Sequence, residues 1–299
     1  MENWIGGETA RDNARNVEYA ISQFQERAAL EEERKKQKVD STRKDLMHYL
    51  LNNADPKTGM RPTIGELQGD TLSLIGAGAD TIATTLSAIF FYLARNQSVL
   101  QKLKAEIRST FTSLEDIHSG PKMDSCTYLN ACIEETLRIA PAVASQLPRE
   151  VMKGGIVIDG EYIPEGVVLG VPSYVVHHDR NAFPESWSFR PERWIAGSNL
   201  NEDGVTVTKE DIRTAREAMC PFSMGSRSCV GRVFAYMEMR NAIASVLWVY
   251  DFEEVDGKER KGGGGSDLEL GRERVDEFQI FDCFGADRDG PMLKFRPRS

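Results

Sequence analysis

Much of the first half of the chain carries apolar residues at helical spacing. In residues 127–139, Leu129, Ile133 and Leu137 recur four positions apart, and Pro141 follows the segment. This pattern predicts a helix with one buried face that ends before the proline. The same spacing predicts further helices at residues 9–37, 44–51, 64–96, 97–110 and about 230–250.

The pattern changes after Pro148, where short apolar runs alternate with turn residues. Residues 156–163 predict a β-hairpin, because an Asp-Gly pair that favours a tight turn separates two such runs. Residues 262–266, four glycines and a serine, indicate either a flexible linker or a loop tip. Further strand-like segments lie at 167–176, 278–281 and 292–295. We therefore expect a mainly α fold with small β-sheets.

One apolar segment, residues 71–94, is long enough to cross a membrane. Asp80 lies near its middle, where a carboxylate costs roughly 2.5–3.5 kcal/mol on insertion scales. The segment is also rich in Thr, Ser, Gly and Ala. We therefore predict a helix that is buried in a protein core. Residues 1–10 are polar, so we expect neither a secretory signal nor a membrane anchor in this chain.

Charge and cysteine content argue against two classes of site. The net charge of −9 leaves no basic stripe that could neutralise nucleic-acid phosphates. The five cysteines are an odd number without a C-x-x-C pair, and with four histidines they form no zinc pattern. This composition suits a reducing compartment and one chemically special thiol.

Residues 222–231 (Phe-Ser-Met-Gly-Ser-Arg-Ser-Cys-Val-Gly) place one cysteine at the start of a predicted helix. Unpaired backbone N–H groups and the helix dipole at that position favour the thiolate of Cys229. Gly225 permits a left-handed turn, and Gly231 lets the backbone approach a flat, bulky group. Arg227 supplies a cation for a carboxylate. The alternative to a metal ligand is a buried, inert cysteine.

Two other short patterns bring polar groups together. Glu135 and Arg138 lie three residues apart on one helix face, where an isolated pair would be a surface ion pair. Asp80 and Thr81 follow Gly78 in the middle of the long predicted helix. A threonine there alternatively bonds back to a preceding carbonyl and bends the helix.

Together these patterns resemble the signatures of the cytochrome P450 family. Residues 222–231 fill every fixed position of its haem-binding signature, Phe-x-x-Gly-x-Arg-x-Cys-x-Gly. Glu135–Arg138 and the later Phe-Arg-Pro-Glu-Arg-Trp at 189–194 resemble its E-x-x-R helix and Pro-Glu-Arg segment. Residues 77–81 resemble its oxygen-activation motif, except that Ile82 replaces the usual small hydroxyl residue. The residues within these motifs are similar to those of fungal microsomal members of the family.

The resemblance implies a haem b cofactor (iron protoporphyrin IX), with the Cys229 thiolate as the axial iron ligand. Arg227 and, by a looser match, Arg149 are implied to bind the haem propionates. The implied cofactor-binding residues as a set are Phe222, Gly225, Arg227, Cys229, Gly231 and Arg149.

The resemblance also assigns roles to the other patterns. Asp80 and Thr81 are the implied catalytic pair that relays protons to bound dioxygen. Glu135, Arg138 and Arg193 are implied to form a buried charge network with a structural role. His177 and His178 are interpreted as surface or packing residues, not iron ligands. The implied substrate-contacting segments are residues 75–85, 142–147 and 281–285.

The implied activity is insertion of one oxygen atom from O2 into an apolar organic substrate, with electrons from NADPH through a reductase. The implied setting is fungal secondary metabolism, on the cytosolic face of the endoplasmic reticulum for a full-length protein. This chain without an anchor would be cytoplasmic or peripheral.

The resemblance covers nearly all of the chain but only the later part of the family fold. We therefore expect residues 1–299 to form a single, incomplete cytochrome P450 domain. The alternative is a truncated, non-catalytic remnant that does not hold haem productively.

Overall fold

The computed structural model describes five stretches of the chain: residues 7–37, 44–199, 204–257, 261–283 and 285–298. They pack as two compact units on either side of a boundary between Ala79 and Asp80. This boundary falls inside one long helix. That residues 1–299 form a single domain stays a prediction.

Among its described residues, the first unit contains α1 (Gly7–Gln37), α2 (Leu46–Asn52) and the beginning of α3 (Ile64–Arg95). Asp45 caps α2, because its side chain accepts the backbone N–H of His48 at 2.9 Å. Arg27 of α1 donates two hydrogen bonds to the same carboxylate, at 2.8 and 2.9 Å. The predicted bounds of α1 and α2 are confirmed to within two residues at each end.

The second unit contains the later helices around one apolar core. In chain order they are α4 (Gln97–Thr110), α5 (Pro121–Asp124), α6 (Thr127–Ile139), α7 (Ser173–His177), α8 (Lys209–Glu217) and α9 (Arg232–Val249). The helices α4 and α6 begin and end at the predicted residues. Their apolar faces pack with α9 and the C-terminal part of α3 around a core that includes Phe91, Leu103, Ile133 and Leu247.

Burial along α3 increases toward its C-terminal end. Ile82, Ile89 and Leu93 are at most 6% exposed, whereas of residues 71–80, all of them described, only Thr71 is buried. The prediction of a helix buried throughout a core is therefore wrong for residues 72–80. By length and composition alone α3 could cross a membrane, and 33% of its most apolar stretch is buried.

Three small antiparallel sheets lie among the described residues of the second unit. The pairs are β1 (Arg149–Glu150) with β4 (Val168–Leu169), β2 (Ile156–Ile158) with β3 (Glu161–Ile163), and β5 (Tyr250–Glu254) with β6 (Leu293–Pro297). The predicted hairpin is confirmed as β2–β3. Asp159 and Gly160 between them both have positive φ, 49° and 86°, as a two-residue turn that matches the strand twist requires.

The strand predicted at residues 167–176 is wrong beyond its first residues. Val168–Leu169 form β4, but residues 173–177 form α7. Pro172 precedes α7 with φ −70°, a value that suits entry into a helix. The N–H of Val176 then donates to the carbonyl of Pro172 at 3.2 Å. The proline therefore outweighs the strand preference of the valines.

The glycine run at 262–266 is neither a flexible linker nor a loop tip. The N–H of Gly264 donates to the carbonyl of Arg274 at 3.0 Å, and that of Gly265 to the carbonyl of Arg272 at 2.9 Å. A Cβ at Gly264 would overlap both carbonyl oxygens. Glycine is required there because two backbone segments approach closely.

Candidate active site

The cysteine loop runs from Phe222 to the start of α9. Gly225–Arg227 form one 3₁₀ turn, and Gly225 has φ +71°, in the left-handed region that glycine adopts readily. The N–H of Ser228 donates to the carbonyl of Gly225 at 3.1 Å. The N–H of Cys229 donates to the carbonyl of Phe222 at 2.8 Å and closes the loop. The thiol therefore lies immediately before α9.

The Cys229 side chain lies on an exposed and largely apolar surface. The neighbouring Val230 and Val233 are 93% and 82% exposed. A Cβ at Gly231 would lie 3.7 Å from Sγ of Cys229, so glycine keeps that side of the sulfur open. Cys229 is itself exposed, which argues against the alternative of a buried, inert cysteine.

This surface fits the haem that the sequence implies. It combines one soft sulfur donor, Cys229, with an apolar face that can receive the macrocycle. Arg227 and Arg149 are exposed, so their guanidinium groups can bind carboxylates. In the parts of the chain that the structure describes, no group of three or more His, Cys, Asp or Glu side chains could hold a metal ion. The sulfur of Cys229 is therefore the candidate metal ligand.

Glu135 and Arg138 of α6 form a fully buried ion pair. Arg138 donates from Nη2 to Oε1 at 2.7 Å and from Nε to Oε2 at 2.9 Å. The carboxylate also accepts the indole N–H of Trp194 and the backbone N–H of Arg190, both at 3.0 Å. Nε of Arg193 lies 3.5 Å from Oε2. The structure thus brings the three residues of the expected network together and adds Trp194 to them.

The other donors of Arg138 hold the irregular segment that follows α7. Nη1 donates to the carbonyls of His177 at 2.9 Å and Ser186 at 2.7 Å. Nη2 also donates to the carbonyl of Ser188, at 3.3 Å. Arg138 therefore joins α6 both to α7 and to residues 186–188.

The charge state of Glu135 follows from two opposing effects. Burial raises the pKa of this carboxyl, but the charge and hydrogen bonds of Arg138 lower it, followed by the charge of Arg193. The net effect holds the pKa of Glu135 below its ordinary value. The carboxylate is therefore ionised at neutral pH and compensated inside the protein.

His177 is fully buried and contacts protein groups at both ring nitrogens. Nε2 accepts the backbone N–H of Cys220 at 2.9 Å, and Nδ1 lies 3.2 Å from the carbonyl oxygen of Arg138. Burial lowers the pKa of His177 to about 4, so the ring is neutral at neutral pH. The sequence offered only two adjacent histidines after an apolar run and no signal for these long-range contacts.

Asp80 and Thr81 lie on α3 where a C-terminal loop approaches the helix. Asp80 is exposed and Thr81 is half-buried. A Cβ at Gly285 would lie 3.8 Å from Cβ of Asp80. One turn further along α3, the hydroxyl of Thr84 donates to the carbonyl of Ala286 at 2.9 Å. Asp80 therefore lies beside Gly285 of this loop.

The segments expected to contact substrate are residues 75–85, 142–147 and 281–285, and from Asp80 onward they belong to the second unit. Residue 284 lies outside the described residues. Ala286, the residue after the last segment, donates its N–H to the carbonyl of Ala142 at 2.8 Å. Ala144, Ser145 and Asp282 contribute to the lining of a cavity of about 400 Å³. The last two segments are thus adjacent.

Comparison with known proteins identifies the family. The family model described as Cytochrome P450 matches residues 4–263. Cytochrome P450 monooxygenase fscF of Fusarium equiseti is 36% identical over 296 residues, which are 98% of this chain and 53% of that protein. Cytochrome P450 monooxygenase apf8 of Gibberella fujikuroi is 38% identical over 261 residues, 85% of this chain and 66% of that protein. The chain thus spans about half to two thirds of the length of these relatives.

A solved structure shows the same fold. The crystal structure of the cytochrome P450 CYP102L1 matches with a TM-score of 0.71 at 20% identity, and covers 100% of this chain and 60% of that one. This match confirms the expected fold class, mainly α with small β-sheets. The family model, the fungal relatives and the fold agree, and the chain belongs to the cytochrome P450 family.

Proposed function

We propose that the whole protein, of which this chain is about half by comparison with fscF, is a haem-thiolate monooxygenase. One atom of O2 enters a C–H bond of an apolar organic substrate, and the other leaves as water. Two electrons come from NADPH through a reductase, and two protons come from solvent. The observation that carries this proposal is the exposed thiol of Cys229 on an apolar surface at the start of α9.

Cys229 binds the iron of haem b as a thiolate. The N-terminus of α9 directs its unpaired N–H groups and positive dipole end toward this loop, which favours the charged sulfur. When bound, the haem supplies the activation of O2, and thiolate ligation favours O–O cleavage. Gly225 permits the left-handed turn of the loop and Gly231 leaves room beside the sulfur, while Arg227 and Arg149 hold the propionates.

Asp80 and Thr81 deliver protons to the reacting oxygen. Asp80 is exposed and can exchange its proton with water, whereas Thr81, the next residue, is half-buried. A hydroxyl both donates and accepts a hydrogen bond. Thr81 can therefore receive a proton from the side of Asp80 and pass its own inward. This gradient of exposure along α3 supports the assignment.

Glu135, Arg138 and Arg193 act on the frame and not on the substrate. Their buried charges join α6 to residues 186–194, and the bidentate pair satisfies both carboxylate oxygens. Removal of one partner would leave a buried charge uncompensated. These three residues therefore maintain the framework next to the cysteine loop.

We base the proposed biological setting on the organisms and names of the relatives. Both fscF and apf8 are fungal and carry the name cytochrome P450 monooxygenase. We propose a role in fungal secondary metabolism, with an NADPH–cytochrome P450 reductase as partner. The whole protein would then lie on the cytosolic face of the endoplasmic reticulum, where the reductase can reach it.

Oxygen incorporation tests the proposed reaction directly. The haem-supplied chain is incubated with reductase, NADPH, ¹⁸O₂ and a panel of apolar fungal metabolites, and products are analysed by mass spectrometry. The expected product carries one ¹⁸O atom. The variant Cys229→Ser should not form it. The control variant Cys126→Ala, which alters a buried core thiol, should still form it. Failure of the wild-type chain to hold haem would favour the non-catalytic remnant for this chain.

A further inference from the structure

The imidazole of His177 joins α6 to the residues that lead into the cysteine loop. Nε2 lies 2.9 Å from the backbone nitrogen of Cys220, which can only donate. Nε2 must therefore be the unprotonated ring nitrogen, which leaves the proton on Nδ1. Nδ1 lies 3.2 Å from the carbonyl oxygen of Arg138 and donates to it. The surrounding hydrogen bonds thus assign one neutral tautomer.

His177 and Arg138 exchange two hydrogen bonds. Nη1 of Arg138 donates to the carbonyl of His177 at 2.9 Å, and the His177 ring donates to the carbonyl of Arg138. Both residues are 0% exposed. The backbone and the ring of His177 are therefore both held by Arg138 of α6, and the free acceptor of the ring, Nε2, has a defined position for Cys220.

The contact at Cys220 continues into the loop. The carbonyl of Cys220 accepts the N–H of Ser223 at 3.0 Å, and the carbonyl of Phe222 accepts the N–H of Cys229 at 2.8 Å. Ser223 has φ +58°, a left-handed conformation that is uncommon for a residue with a side chain. Such a conformation persists where the surrounding contacts impose it. The anchor at Cys220 lies directly before this strained turn.

We propose that His177 is a positioning residue for the cysteine loop. By accepting the N–H of Cys220, it fixes the entry of the loop relative to the Glu135–Arg138 helix and so sets the direction of Cys229. This inference rests on the proposed function for its consequence at the iron. The anchoring itself is a property of the haem-free chain.

His178 supplies a matched control. It is also buried, at 8% exposure, and its Nδ1 contacts the carbonyl of Tyr174 at 2.7 Å. Its ring packs on Trp187 at a centroid distance of 4.2 Å. Among the described residues its Nε2 has no hydrogen-bond partner. A change at His178 therefore disturbs buried packing without removing the anchor at Cys220.

Two amide substitutions separate the two contacts of His177. In His177→Gln the side-chain carbonyl reaches the position of Nε2 and can accept the Cys220 N–H. In His177→Asn the shorter amide can still donate to the Arg138 carbonyl but cannot reach Cys220. His178→Asn is the control, and far-UV circular dichroism checks that each full chain is folded.

The first readout is amide hydrogen exchange across residues 220–229 in the haem-free chain. We expect exchange at Cys220 to be about tenfold faster in His177→Asn, because the hydrogen bond of this partly buried N–H is lost. His177→Gln and His178→Asn should stay close to wild type. Equal loss of protection in the Gln and Asn variants, or in His178→Asn and His177→Asn, would show a packing role only and overturn the inference.

The second readout is the carbon-monoxide spectrum of the reduced, haem-loaded chain as the pH is lowered. His177→Asn should lose the red-shifted thiolate band at a higher pH than wild type, and His177→Gln should restore it. Identical midpoints in His177→Asn and wild type would contradict the inference even where the proposed function stands. If the wild-type chain shows no thiolate band, the proposed function fails for this chain, and hydrogen exchange alone decides on His177.

Discussion

The indole N–H of Trp194 donates to Oε2 of Glu135 at 3.0 Å, the same oxygen that Nε of Arg138 contacts at 2.9 Å. The Pro-Glu-Arg-Trp turn is thus fastened to α6 by a neutral donor as well as by charge. Nε of Arg193, the partner that the sequence motif suggests, lies at 3.5 Å, beyond ordinary hydrogen-bond distance. Trp194 therefore makes the shorter contact of the two.

Trp194→Phe should lower the free energy of unfolding by about 1.5–3 kcal/mol, because a buried carboxylate loses one charge-assisted hydrogen bond. Urea denaturation of the haem-free chain measures this change. Trp187→Phe is the control, since the contacts of Trp187 with His178 and Arg274 use its ring face. Equal destabilisation by the two substitutions would indicate lost ring packing and contradict the account.

Glu135→Gln should cost about 3–5 kcal/mol of stability, because it leaves the buried Arg138 charge without its carboxylate. The measurement is again the urea midpoint, together with the fraction of haem retained after gel filtration. The control is Glu210→Gln, which removes an exposed partner of Arg213 and should change stability by less than about 1 kcal/mol. A loss at Glu135 as small as that at Glu210 would mean that the buried pair does not hold the frame.

The long helices could be predicted from the sequence because their apolar spacing is local information. For α6, Leu129 and Ile133 mark the buried face and Pro141 marks the end, so the predicted and observed bounds agree. The cysteine loop could be located for a similar reason. Its glycines and its cysteine lie within ten residues, and the structure needs few distant contacts to form it.

Features made by distant segments could not be predicted in the same way. Gly264 is constrained by carbonyls of residues 272 and 274, which a glycine-rich composition does not reveal. The acceptor role of His177 depends on Cys220, 43 positions later. Trp194 is part of the Pro-Glu-Arg-Trp segment, but its contact with Glu135 joins two segments that are distant in the sequence. Each of these contacts is a property of tertiary packing.

Gly264→Ala should destabilise the chain strongly, by more than about 2 kcal/mol, since its Cβ would overlap the carbonyl oxygens of Arg272 and Arg274. Gly69→Ala is the control, because nothing lies within 4 Å of its Cβ position in α3. That substitution should stabilise the chain by about 1 kcal/mol. Thermal unfolding of both variants checks the prediction. A tolerated alanine at position 264 would restore the interpretation of a linker.

Stability should fall as the pH decreases from about 6.5 toward 4. Burial, the largest effect at each histidine, lowers the pKa of His177 and of His178 to about 4. Between these values the unfolded chain binds protons at these two histidines that the native chain does not, so their contribution to stability is fully present above pH 6.5 and is lost as the pH falls toward 4. Each histidine then contributes a loss of about 1.4 kcal/mol per pH unit.

Urea titrations at several pH values between 5 and 7 measure this slope. The substitution His177→Gln removes one of the two buried histidines and should reduce the slope by about 1.4 kcal/mol per pH unit. Glu135 does not interfere in this range, because its pKa lies below its ordinary value. An unchanged slope in His177→Gln would mean that His177 is not held neutral in the native chain.

The central claim, that the thiolate of Cys229 binds haem iron, is tested most directly by the reduced carbon-monoxide difference spectrum of the haem-supplied chain. We predict the strongly red-shifted Soret band of a thiolate-ligated carbonyl in wild type and in Cys220→Ser, where serine keeps the backbone N–H that contacts His177. Cys229→Ser should abolish this band. Absence of the band in wild type, or its persistence in Cys229→Ser, would contradict the account.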